Sequence, residues 1–152
     1  MRVSAKADYA VRAMIALAAA EVETPVKGEV IAEAQGIPLR FLENILAELR
    51  HHGLVQSRRG ADGGYWLTRA ATEITIAEVI RAVEGPLASV RGERPEEMSY
   101  DGVAAPLQRV WVALRSNIRS VLERVTLAHV VSDDLPPEVL ELTRRPDVWE
   151  PH

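Results

Sequence analysis

The run Arg58-Arg59-Gly60-Ala61-Asp62-Gly63-Gly64 sets two guanidiniums among three glycines. Guanidinium is permanently charged and matches phosphate geometry, and glycine lets a backbone approach another surface closely. Such a pair can sit on phosphates or enter a narrow minor groove, where negative potential is concentrated. The plainer alternative is a solvated turn. Other chemistry is scarce. His51 and His52 are adjacent, so on a helix they point about 100° apart and cannot chelate one ion together. They suit a helix C-terminus, where the dipole favours a cation. His129 and His152 lack spaced partners, and Gly60–Gly64 lacks the Lys and strand-to-helix context of a phosphate loop. No Ser–His–Asp or paired-carboxylate arrangement stands out, so no enzyme is expected.

Charge locates the positive face. The 152 residues carry a formal charge of −4, yet residues 1–72 hold 9 basic and 8 acidic side chains, whereas residues 73–152 hold 9 and 14. Within 37–70, Arg40, Arg50, Arg58, Arg59 and Arg69 outnumber Glu43, Glu48 and Asp62. An anionic partner is expected there. The length suits one domain, or a small domain with an appendage. The absence of cysteine excludes disulfides, thiol catalysis and all-cysteine metal sites, and fits a reducing compartment. The apolar run 13–20 follows Arg2 and Lys6 as in a secretory signal, but Asp8 and Arg12 lie inside or against it. A helix of a cytoplasmic protein with no membrane partner accounts for these residues better.

Those residues need elements to position them. Ser4 can cap a helix to about Ala20, with Val11, Ile15 and Ala18 on one face. A short helix over 28–34 stops at Gly36, and a third spans Leu39 to His51 with Phe41, Leu42, Ile45, Leu46 and Leu49 apolar, closed by Gly53. Strands at 54–57 and 65–68 flank the glycine-rich turn as a hairpin. Thr75 to Glu78 is a capping box opening a helix that Gly85-Pro86 ends. Residues 86–106 read as a loop. Leu107, Trp111, Leu114, Ile118, Val121 and Val125 then keep 4-3 spacing for nearly three heptads. That seam packs either on its own domain or on a partner chain; the small domain beside it favours the partner.

The order helix, short helix, turn, helix, hairpin is that of a winged helix-turn-helix, whose recognition helix enters the major groove while the wing reaches phosphates or the minor groove. The fold class is thus mainly α with a small β-hairpin wing and a long C-terminal dimerisation helix. The organisation expected is a DNA-binding domain over 1–85, a loop over 86–106, a dimerisation helix over 107–131 and a flexible tail over 132–152, with one short helical turn at 138–142.

Met1–Met14, Pro38–Leu49 and Gly53–Tyr65, continuing through Ile74–Pro86 and Trp111–Leu127, resemble the Rrf-two family of bacterial winged-helix transcriptional regulators. The resemblance implies a homodimer crossed through the long helix and bound to double-stranded DNA at a dyad operator; a repressor is the expected mode. It carries base contact to Arg40, Glu43 and Asn44, minor-groove entry to Arg59 and backbone contact to Tyr9. Glu43 can accept from cytosine and Asn44 can read adenine; alternatively Glu43 only pairs along its helix with Arg40. With the adjacent Arg58 and Gly60 these residues form the expected DNA-binding set. Pro38 stands where the family has a capping Ser or Thr, which removes a side-chain cap and a phosphate hydrogen bond.

The second departure concerns the sensor. Sensors of the family usually hold an iron–sulfur cluster with three cysteines in the loop before the long helix, and residues 86–106 contain none. Non-cysteine ligand positions in relatives fall near Asp8, Arg12 and Gln108, but Asp8 and Arg12 are four apart and suit an ion pair. No cluster, metal or other cofactor is expected. A small-molecule effector at Trp111, Tyr100, Met98 and Arg109, with Arg115 nearby, is one replacement; a modulating protein partner is another. Against the first, Trp111 can be seam packing alone. Two other classes compete with the regulator, a winged-helix module for protein contacts and a metabolite-binding protein.

Overall fold

A computed structural model describes residues 2–152. Helix α1 (Ala5–Ala19) starts at Ser4, whose Oγ accepts the Ala7 N–H at 3.0 Å. Its buried face is Ala7, Ala10, Ala13, Met14 and Leu17, whereas Val11, Ile15 and Ala18 are only half-buried. The expected face is thus displaced. Alanines let α1 sit centrally, where it packs on α2 (Gly28–Gln35), α3 (Leu39–His51), α4 (Ile76–Glu84) and α6 (Leu127–Val131). Bulkier side chains there would hold these neighbours off.

Gly36 ends α2 in the left-handed conformation at φ 62°, and α3 follows after two residues. In α3, Leu42, Ile45, Leu46 and Leu49 are at most 1% exposed, while Phe41 stays 41% exposed. Strands β1 (Val55–Arg58) and β2 (Gly64–Leu67) pair antiparallel, Val55 opposite Leu67 and Arg58 opposite Gly64. Val26 adds a bridge to Tyr65, tying the wing to the segment before α2. The expected capping box is formed: Thr75 Oγ1 accepts the Glu78 N–H and Glu78 accepts the Thr75 N–H.

The run expected as one helix over 107–131 is two. Helix α5 (Leu107–Leu122) stops, and Thr126 opens α6 with a second capping box in which His129 Nδ1 accepts the Thr126 N–H at 3.0 Å. The Ile76 N–H donates to Val125 O and the Leu127 N–H to Ile74 O, so the turn is stitched to the entry of α4. Val125 is therefore a core residue at 7% exposure, no longer on the helical seam. The apolar period continues through this turn because the half-covered side of α5 and the core meet there.

The 86–106 loop makes short 3₁₀ turns at Pro95–Glu97 and Gly102–Ala104, with Pro95 and Met98 buried. Residues 132–152 are not a free tail. Helix α7 (Pro137–Thr143), broader than the expected turn, sends Val139 into the core cluster, and Trp149 Nε1 donates to Thr143 O at 2.7 Å. Among the described residues no helix is long and apolar enough to cross a membrane.

Candidate nucleic-acid interface

Burial of one face of α3 dictates what the other presents. Leu42, Ile45, Leu46 and Leu49 point into the core, so Arg40, Glu43 and Asn44, at i, i+3 and i+4, share the exposed side. Pro38 is the N-cap and makes no side-chain capping bond, as its missing donor and acceptor require. The first turn of α3 carries no acidic residue, which leaves the positive end of the helix dipole uncompensated from its own sequence.

Tyr9 is brought to this end from α1. Its ring meets Phe41 edge-on with centroids 5.6 Å apart, and the Arg12 guanidinium lies 4.9 Å from its centroid on the ring. Arg12 also pairs with Asp8 at 2.9 Å, the expected partner, and donates to Gln35 O at the end of α2. Lys6 pairs with Glu48 at 2.9 Å. These contacts tie α1 to both α2 and α3.

The two wing arginines have different tasks. Arg58 donates to Asp62 O at 3.0 Å across the turn, so it is folded back onto the hairpin. Arg59 is exposed and has no hydrogen bond or ion pair among the described residues. Glycine is required at 63, where a Cβ would lie 2.1 Å from Arg58 O, and at 64, where φ is 147° and a Cβ would lie 2.6 Å from the Val26 backbone. Gly60, at φ 103°, faces open space.

Wing and helix enclose a cleft of about 370 Å³ lined by Lys27, Glu43, Arg50, Ser57, Arg58 and Arg59, among others. Arg50 donates to Ser57 Oγ at 3.0 Å, linking α3 to β1. Of the expected set, Glu43, Arg58, Arg59 and Gly60 meet here; Arg40, Asn44 and Tyr9 lie outside this lining. Lys27 and Arg50 were not singled out from the sequence as contacts. Arg50 carried a signal, its membership of the local basic excess; Lys27 carried none, because its proximity arises only from the Val26–Tyr65 bridge. His51 and His52 are exposed at the end of α3 with ring centroids 5.6 Å apart and no third ligand.

Of the expected effector residues, Trp111 and Tyr100 meet through a side-chain hydrogen bond. Trp111 Nε1 donates to Tyr100 Oη at 3.0 Å, Met98 is 2% exposed within the loop, and Arg109 is exposed on α5. Arg115 pairs with Glu96, Arg119 with Glu123 at 2.9 Å, and Arg81 of α4 with the same Glu123. Hydrogen bonds from Arg81 and Arg119 hold the Glu123 carboxyl below its ordinary range. Glu96 is lowered by its own backbone N–H and by Arg115. Burial pushes Glu78 up, but the Thr75 backbone N–H and Arg69 together outweigh it and leave the group lowered.

Residues 3–133 match the family model Rrf2, described as an iron-dependent transcriptional regulator. The HTH-type transcriptional regulator IscR of Photorhabdus laumondii is 37% identical over 97% of this chain and 87% of its own. Rv1287 of Mycobacterium tuberculosis, named as an HTH-type transcriptional regulator, is 53% identical over 93% of this chain and 88% of its own. Among solved structures, CymR, the global cysteine regulator of B. subtilis, superposes with TM-score 0.74 at 33% identity, covering 88% of this chain and 98% of that one. T. potens IscR gives 0.71 at 37% identity, covering 88% of each. The iron in the family description finds no donor set here. The chain has no thiolate, Glu96 is committed to Arg115, and no three His, Asp or Glu side chains converge among the described residues. The match over most of the chain, the relatives at 37% and 53% identity and the winged helix-turn-helix itself make this protein a member of the Rrf2 family of DNA-binding transcriptional regulators rather than an enzyme.

Proposed function

We propose that the protein is a sequence-specific repressor that binds a dyad operator as a homodimer, with the outer face of α3 in the major groove and Arg59 in the minor groove. The observation that carries this reading is the asymmetry of the wing: Arg58 is engaged within the hairpin, while Arg59 projects free beside a basic cleft. A free guanidinium at a hairpin tip gains most where groove walls concentrate negative potential. Arg40, Glu43 and Asn44 offer a donor, an acceptor and a bidentate amide to base edges, and Tyr9 stands beside the α3 N-terminus for a backbone contact.

Dimerisation is supported by α5. It has no buried residue, and Leu107, Trp111, Leu114, Ile118 and Val121 are only half-covered beside an exposed Val110. A second α5 crossing this stripe would bury it and set two α3 helices against successive major grooves. Where its operator overlaps promoter elements, such a dimer would repress by excluding polymerase. The signal is a small molecule or a protein partner acting without a cluster.

Selection of bound duplexes from a random pool tests the reading. The expected result is a palindromic consensus bound at low nanomolar to micromolar affinity, with a linear fall of log affinity against log salt. Recovery of no consensus above non-specific binding would refute it.

A further inference from the structure

The C-terminal half holds an unassigned basic cavity. About 420 Å³ in size, it lies between the end of α4, the 86–106 loop and α5, and four guanidiniums line it, those of Arg81, Arg94, Arg115 and Arg119. Glu96 is its one lining carboxylate, and Leu87, 6% exposed, supplies an apolar wall. Even with Glu123 counted from just outside, four positive charges face two negative ones, within a half of the chain where acidic residues outnumber basic ones 14 to 9. Uncompensated like charges in a concave site repel each other and attract a counter-anion.

The arginines are also prepared for one. Arg81 and Arg119 are braced by Glu123 and Arg115 by Glu96, so three forks are already oriented and less side-chain freedom is lost on binding. The Arg94 side chain makes no hydrogen bond or ion pair among the described residues, so its donors are available. Planar forks of this kind bind oxyanions bidentately.

We infer that this cavity binds a small organic molecule carrying two or more phosphate or carboxylate groups, held by Arg81, Arg94, Arg115 and Arg119 with its carbon skeleton on Leu87. Binding stands on the cavity alone; any effect on operator affinity rests on the regulator reading above. The expected effector residues Trp111, Tyr100, Met98 and Arg109 do not line this cavity.

Calorimetric titration of the full chain with inorganic pyrophosphate and with citrate, at constant ionic strength and without DNA, tests the inference independently of any operator. Saturable binding of one anion per chain is expected, weakened tenfold or more in Arg94→Gln and further in Arg94→Gln/Arg119→Gln. Arg94 has no partner whose loss would unfold the chain, and a circular dichroism melt confirms that each variant is folded. Saturation by pyrophosphate alone identifies a phosphorylated ligand and by citrate alone a polycarboxylate; either supports the site. No saturable binding of either probe overturns it. So does loss of binding in Arg59→Ala with Arg94→Gln unchanged, which would move the anion to the wing.

Discussion

Helices α3 and α5 carry similar amphipathic patterns and end in opposite conditions. Four residues of α3 are at most 1% exposed, covered by α1, α2, α4 and β1. None of the 16 residues of α5 is buried, although its spacing is equally regular. The reading head is thus a finished core that fixes a polar surface, whereas α5 is half an interface. Periodicity reports that a helix will bury a face; it is silent on whether the cover comes from the same chain.

Substitutions should separate the two regions. The largest effect is expected for Leu46→Ala, fully buried in α3, which should cost about 2–5 kcal/mol in denaturant unfolding. Leu114→Ala in α5 should barely change the melt at high protein concentration but lower the apparent dimer mass on dilution. Equal effects in both assays would erase the contrast between the helices.

Next comes the wing. Arg59→Ala should weaken operator binding by about 1–3 kcal/mol in a fluorescence anisotropy titration, without altering the melt. An unchanged affinity would remove Arg59 from the groove. Gly63→Ala forces a Cβ onto Arg58 O, so it should lower both operator affinity and stability, because the turn must open. Thr126→Ala removes one half of the second capping box and should cost about 1 kcal/mol of stability with operator contacts intact. A neutral result would show that the bridges to Ile74 and Ile76 alone hold the turn.

The smallest effect is electrostatic. The Glu123 carboxyl is lowered in the folded state, so its contribution is present above the unfolded carboxylate pKa and lost as pH falls through the folded value. Its partners are partly exposed, so about 1 kcal/mol or less should disappear on acidification, and Glu123→Gln should flatten that part of the profile. A profile as steep as that of the unsubstituted chain would assign the acid sensitivity elsewhere.

Local signals made most of the reading head legible. Ser4, Gly36 and the Thr75–Glu78 box act within one turn of chain, and each marks the boundary it predicts. The free Arg59 was legible as a wing residue, but its difference from Arg58 was not, because that depends on how a four-residue turn folds back. The α5–α6 break was missed because Thr126 precedes His129 rather than an acid, and the imidazole takes the capping role. The buried side of α1 was misjudged because alanines bury by closeness of neighbours, a property of assembly that hydrophobicity does not reveal.

Composition and order along the chain settled the class of protein: caps, glycines and a hairpin in winged-helix sequence, a basic middle, and no thiolate. These are short-range consequences of residue type. The tertiary structure decided what depends on distant chain segments meeting. It separated the roles of Arg58 and Arg59 and drew Val125 and Val139 into the core. It also gathered Arg81, Arg94, Arg115 and Arg119, spread over 39 positions, around one cavity. Charge acts through space, and only folding sets those distances.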